Sequence, residues 1–239
     1  MASESPVAGG ERWYDDAQKY WENVPASVDG VLGGFERLNR PDIYGSRLFL
    51  NAFLAPNGHR PKRLQNGVAC DCGAGIGRIT KGLLAKLFMQ VDLVEQDAAF
   101  LRHAQEVHLA EEVKQGKTGE FYETGLQSFT PQPGRYDAIW CQWVLSHLPD
   151  DDLIAFFGRC VQGLTPTGLI FVKENMAPIA AIIDKQDSSL TRTESDFRRL
   201  FEASHLRIVK RAVQKDFPKD IFAVHMFALE PMSRQNPSS

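Results

Sequence analysis

Hydrophobic and polar positions along the chain follow two different periods. GVACDC (67–72), VDLVE (91–95), EFYE (120–123), YDAIWCQ (136–142) and GLIFVKE (168–174) are short apolar or alternating runs that predict strands. Between them, RITKGLLAKLF (78–88) sets Leu83, Leu84, Leu87 and Phe88 at helical spacing, and AAFLRHAQEVH (98–108) and DDLIAFFGRCVQGL (151–164) repeat the theme. This alternation predicts a parallel sheet covered by helices on both faces. The end of the chain differs. TESDFRRLFEAS (193–204) opens with a capping box, Thr193 to Asp196. LRIVKRAVQ (206–214) and IFAVHMFALE (221–230) then predict two strands joined by KDFPKD, so the α/β order closes with a hairpin.

Ahead of the first strand, WYDDAQKYWEN (13–23) carries aromatics at 13, 14, 20 and 21 and predicts an amphipathic helix. VDGVLGG (28–34) predicts a glycine-rich turn, and IYGSRLFLNAFL (43–54) a second helix. APNGHRPKRLQNG (55–67) predicts a loop, with Arg60, Lys62 and Arg63 as a solvated basic edge. Residues 1–12 and 231–239 are expected to be flexible ends. No repeat or second core is visible, so residues 1–239 are expected to form one domain, with 13–60 as an N-terminal helical extension.

Composition narrows the function classes. Formal net charge is −3, which argues against a general nucleic-acid binder. No apolar run approaches the roughly 18 residues of a membrane span, and MASESPVAGGERW lacks the regions of a signal peptide. An intracellular protein that binds neither nucleic acid nor membrane is expected. The four cysteines, Cys70, Cys72, Cys141 and Cys160, form neither a disulfide framework nor a zinc pattern. They read as small buried hydrophobes, and no metal is expected.

The chemistry begins at DCGAGIGRITK (71–81). A strand-to-helix turn needs residues without Cβ where the backbone bends or meets a ligand. Gly73, Gly75 and Gly77 supply them at G-x-G-x-G spacing, one residue short of the dinucleotide fingerprint, with Arg78 following. That spacing argues against a nicotinamide dehydrogenase. Asp71 is placed to accept a hydrogen bond from an amine. Glu95 ends the next strand, where an acid can bind ribose hydroxyls. The alternative is a tight βα turn without ligand, and three alternating glycines argue against it because they would weaken a purely structural turn.

Other candidates sit at the same sheet edge. His147 lies beyond the strand 136–142, where ligands bind in open α/β sheets, and reads equally as a proton acceptor or a capping histidine. Trp143 could pack on a proline ring or attract a cation, or belong to the core; for Trp140 core packing is the reading. Asn175 ends the fifth strand with an amide able to bond a peptide backbone. Asp184 and Asp187 could attract a basic side chain, or be turn formers.

The acid-x-G-x-G-x-G motif and the acid ending the second strand resemble class I S-adenosylmethionine-dependent methyltransferases. VDGVLGG, DCGAGIGRITK, GLQSFTP (125–131), IWCQWVLSHL (139–148), ENMA (174–177) and DKQDSS (184–189) together resemble the protein α-N-terminal methyltransferases, from about Trp13 to Leu229. The resemblance implies a Rossmann-like, seven-stranded, mostly parallel sheet with an antiparallel last strand, helices on both faces and an N-terminal helical lid. It implies transfer of methyl groups from S-adenosylmethionine, leaving S-adenosylhomocysteine, to the free α-amine of protein N-termini. These begin X-Pro-Lys/Arg after removal of the initiator Met. Cofactor contacts implied are Asp71, Gly73, Gly75, Gly77, Arg78, Glu95, Leu126, Gln127 and Gln142. Substrate contacts implied are Trp21, Leu32, Trp143, Asn175, Asp184, Asp187, Ser189 and Phe222. His147, Asp184 and Asn175 are implied in catalysis, and a cytoplasmic or nuclear location is expected. One departure is Phe222, where the family typically has tyrosine, so a hydroxyl is lost. The rivals are a methyltransferase for a small amine or acid and a non-catalytic module that binds cofactor or partner proteins.

Overall fold

The computed structural model describes residues 8–10, 12–54 and 63–233. Arg60, Lys62 and most of the expected flexible ends lie outside the described residues. The chain opens with α1 (Trp13–Glu22), a short α2 (Val28–Val31) and α3 (Asn39–Leu54). The α/β part then runs β1 (Val68–Cys72), a helix beginning with a widened turn Thr80–Leu84 and ending as α4 (Ala85–Leu87), and β2 (Gln90–Glu95). α5 (Ala98–His103), α6 (Ala110–Lys114), β3 (Thr118–Glu123), β4 (Tyr136–Gln142), α7 (Asp150–Gly163) and β5 (Leu164–Met176) follow. A small hairpin of β6 (Ile182–Asp184) and β7 (Ser189–Thr191) precedes α8 (Glu194–Ala203), β8 (Leu206–Val213) and β9 (Ala223–Pro231).

Seven strands form one sheet in the order β3-β2-β1-β4-β5-β9-β8. β1 pairs in parallel with β2 and β4, and β9 runs antiparallel to both β5 and β8. Alternation along β1 and β4 divides the core between the two faces of the sheet. Cys70, Cys72, Ile139 and Cys141 pack with Phe156 and Phe157 of α7 and Phe197 and Phe201 of α8. Ala69, Ala138 and Trp140 pack with Phe49 and Phe53 of α3. Trp140 stacks on Phe171 with ring centroids 5.6 Å apart, the expected core position. All four cysteines are free and buried, and burial pushes the Cys141 thiol up to about 11. The capping box holds at α8: Thr193 Oγ1 accepts from the Asp196 amide, and Asp196 Oδ2 accepts from the Thr193 amide.

Some elements depart from the periodicity. VDGVLGG is not only a turn: Ser27 caps α2 by accepting from the Gly30 amide at 3.0 Å, before Gly33 and Gly34 adopt positive φ. α3 begins earlier than its apolar stripe because Pro41 is tolerated in a first turn. DKQDSS spans the end of β6, the turn and the start of β7, a hairpin whose strands are too short to show a period. Arg63 is not solely a solvated edge, since it pairs with Glu230 and lies over Phe53. Among the described residues no helix is long and apolar enough to cross a membrane.

Candidate active site

The glycine loop lies at the carboxyl ends of β1, β2 and β4, where the parallel strands leave a crevice. Gly73 has φ of +70° and rests so tightly on Val144 that a Cβ would lie 2.4 Å from its side chain. Gly77, at φ +80°, packs on Leu109 and does not reach the crevice wall, so its demand comes from backbone conformation and packing. Asp71 Oδ2 accepts from the amide and hydroxyl of Thr80, tying the strand end to the helix beyond the loop. Burial pushes Asp71 up to about 6, against Thr80 and Arg78. Glu95 accepts from the Gly75 amide at 2.8 Å and the Asp97 amide at 2.9 Å. It thereby holds the loop while its carboxylate lines the crevice. Leu126 and Gln127 form the opposite wall. Arg159 of α7 holds their loop by donating to the carbonyls of Leu126, Gln127 and Phe129.

A buried charge network supports this floor. Arg78 donates to Asp42 at 2.7 Å and Asn39 at 2.9 Å, and lies 5.4 Å from the Trp143 ring centroid. Gln142 donates to both oxygens of Asp42 and accepts from Trp140. Lys173, with no exposed surface, meets Asp42 at 2.5 Å and donates to Ser46 and Gln214. Thus Asp42, on α3, orients Arg78 and Gln142 from behind. Sequence reading missed Asp42 and Lys173. Their only local signal is a charged residue on each apolar face, whose pairing appears once α3 lies across β5.

Past β4 the chain turns sharply. Trp143 takes φ of +54°, and a 3₁₀ turn, Leu145–His147, follows. The amide of Trp143 donates to the Lys173 carbonyl. His147 Nε2 accepts from Trp21 Nε1 of α1 at 3.1 Å, and its Nδ1 lies 3.2 Å from the Ser188 carbonyl. These partners select the neutral ring with the proton on Nδ1. Burial pushes His147 below the ordinary imidazole range, against the pull of the Ser188 carbonyl and Asp187. Trp13 also donates to the His147 carbonyl at 2.7 Å, so α1 sits directly over this turn.

On the far side of His147 lies a larger cleft of about 1030 Å³. Leu32, Asn175, Asp187, Ser189 and Phe222 all line it. Trp21, Val31, Trp143 and His147 line both the crevice and this cleft, and so mark their junction. Among the described residues, two buried polar atoms here have no hydrogen-bond partner: Asp187 Oδ1 and Trp143 Nε1. Asp184 is not brought to the wall. It pairs with Ser189 across the hairpin, is exposed, and accepts from the Gln186 amide as a turn former. The cleft therefore receives one carboxylate of the pair.

The chain matches, over residues 9–230, the model of the AdoMet dependent proline di-methyltransferases. It belongs to this family. The N-terminal Xaa-Pro-Lys N-methyltransferase 1 of Danio rerio is 46% identical over 217 residues, covering 91% of this chain and 95% of that one. The alpha N-terminal protein methyltransferase 1 of Drosophila melanogaster is 44% identical over 224 residues, covering 93% and 78%. Among solved structures, a SAM-dependent methyltransferase from Leishmania major superposes with a TM-score of 0.84 at 37% identity, covering 96% and 98%. The fold is that of the class I methyltransferases, and the cofactor is S-adenosylmethionine. The crevice fits it: the positive-φ glycines Gly73 and Gly75, a carboxylate at the end of β2 and an apolar wall at Leu126 form a cradle of suitable chemistry.

Proposed function

We propose that this enzyme methylates the free α-amine of protein chains beginning X-Pro-Lys or X-Pro-Arg, exposed once the initiator Met is removed. The observation that carries this reading is the meeting of the two spaces at Trp21, Val31, Trp143 and His147. On one side is the glycine crevice. On the other is a cleft wide enough for a peptide, with the buried, unpartnered oxygen of Asp187 inside it. An unpaired buried carboxylate oxygen is costly, and a Lys or Arg side chain would supply its partner.

In this reading Glu95 holds the ribose, Leu126 and Gln127 flank the adenine, and Asp71, Arg78 and Gln142 serve the methionine end. S-adenosylmethionine, when bound, supplies an electrophilic methyl group on a sulfonium. The protein must bring in an amine whose lone pair is free, in line with that methyl. An α-amine has a pKa of roughly 7.7–8.0, so a modest base suffices. His147 Nε2 is that base. Trp21 occupies its lone pair in this structure, so α1 must shift as the substrate enters. Trp143 offers a face to the proline, Asn175 bonds the peptide backbone, Ser189 adds a polar contact, and Leu32 and Phe222 close the sides. Asp184 does not line the cleft, and no proton passes through it in this scheme. The setting is the cytoplasm or nucleus, where newly trimmed chains carry free α-amines.

Mass spectrometry tests the reading directly. A Ser-Pro-Lys-Arg peptide incubated with enzyme and cofactor is expected to gain methyl groups, while its N-acetylated twin gains none. Gains on both would indicate side-chain chemistry. No gain on either, with cofactor binding intact, would favour a small-molecule substrate. For the cation, Asp187→Lys is expected to raise the peptide KM by about tenfold or more while leaving cofactor affinity within about twofold. An unchanged KM would remove Asp187 from the substrate site.

A further inference from the structure

The turn carrying Trp143 and His147 is gripped from two sides by a buried acid and a buried base, and burial pushes the acid, Glu174, up to about 7. Glu174, on β5 and 3% exposed, accepts the amides of both Val144 and Leu145 at 2.9 Å. Arg192, just past β7 and 1% exposed, donates to the carbonyls of Leu145 at 3.0 Å and Leu148 at 2.6 Å. Arg192 also holds Asp150, at the start of α7, through two bonds of 3.0 and 2.8 Å. The carboxylate thus takes the amides of the turn, and the guanidinium takes its carbonyls. Leu145 is held at both its amide and its carbonyl.

This turn needs holding. Trp143 sits in the left-handed region, uncommon for a bulky side chain, so the backbone would relax if released. Val144 is also the residue that seats against Gly73. A shift of the turn would therefore move the base, the aromatic wall and the lid of the glycine loop together. Both residues line the larger cleft and neither lines the glycine crevice.

We propose that Glu174 and Arg192 are positioning residues that fix the Trp143–His147 turn in its working geometry. The proposal rests on His147 acting as in the function proposed above, but its test does not need a substrate. Glu174→Ala removes the oxygen that accepts both amides. Arg192→Lys keeps the charge but cannot fork to Leu145, Leu148 and Asp150 together. NMR titration of the His147 ring in the folded variants reads the turn directly. Burial lowers the pKa of His147, so loosening the turn is expected to move it upward, toward 6.5. In the same variants kcat is expected to fall about tenfold or more, as small misplacements of a reacting group do. Cofactor affinity by calorimetry is expected to fall by less than kcat does, since Val144 seats on Gly73 but the rest of the crevice is held from elsewhere. Arg159→Lys is the contrast, because Arg159 grips the loop at Leu126 and Gln127 instead. It is expected to weaken cofactor binding and leave the His147 titration where it was.

An unmoved His147 titration in both clamp variants would overturn the proposal. So would loss of kcat only in step with loss of cofactor affinity. If wild-type enzyme methylated no peptide, the His147 titration would still report whether the clamp exists.

Discussion

Replacing Asp42 with alanine is expected to destabilise the protein by about 3–5 kcal/mol, the usual cost of removing one partner of a buried ion pair. Asp42 is fully buried and faces two cations, Arg78 at 2.7 Å and Lys173 at 2.5 Å. Without it, both positive groups remain out of water with no anion between them. Burial already pushes Lys173 below its ordinary range, with Asp42 pulling the other way. The alanine variant would therefore drive Lys173 toward its neutral form. Urea denaturation measures the effect. A loss under 1 kcal/mol would mean that water or a rearranged side chain replaces the carboxylate. Adding Lys173→Met to Asp42→Ala is expected to recover part of the loss, since the stranded charge goes with it. Cofactor affinity should fall in the single variant too, because Arg78 and Gln142 both lose the group that orients them.

His147→Ala is expected to lower kcat about 100-fold at neutral pH, the low end of what a positioned base contributes. The low end applies because the α-amine is already partly neutral there. The loss should grow below pH 7, where the amine carries its proton, and shrink near pH 9, where it does not. A uniform loss across pH would indicate that the ring only positions the substrate. The sign for His147 itself follows from its lowered pKa. It remains a neutral acceptor at pH 6.5 and above, so the acid limb in that range belongs to the amine. Stability runs the same way. The unfolded chain binds a proton at His147 near pH 6.5 and the folded chain only at lower pH. His147 therefore favours the folded state above pH 6.5, and this contribution is lost as pH falls through its folded value. The alanine variant should show a shallower acid decline in its urea midpoint.

Much of this protein is legible from residues close together in the chain. The five parallel strands, the closing hairpin and the Thr193 capping box follow from local periodicity and local hydrogen bonding. They appear within a residue or a few of the predicted ends. The glycine loop was legible for the same reason, since positive φ at Gly73, Gly75 and Gly77 is a demand of the backbone itself. The family resemblance then named candidate residues, most of which line the crevice or the cleft.

What the sequence determined by itself was therefore the element order, the two covered faces of the sheet and the place of the cofactor loop. These are set by short-range backbone preferences and by which side chains avoid water. Only the tertiary structure decided which charges meet. Asp42 finds Lys173 across 131 positions, and Arg192 reaches the Leu145 carbonyl across 47. It also separated Asp184 from Asp187, which the sequence presents as equals three residues apart. The hairpin turns one out toward its own backbone and buries an oxygen of the other in the cleft. Pairing of buried polar groups depends on which elements come to lie side by side. No local pattern encodes that, because each partner's own neighbours would look the same without it.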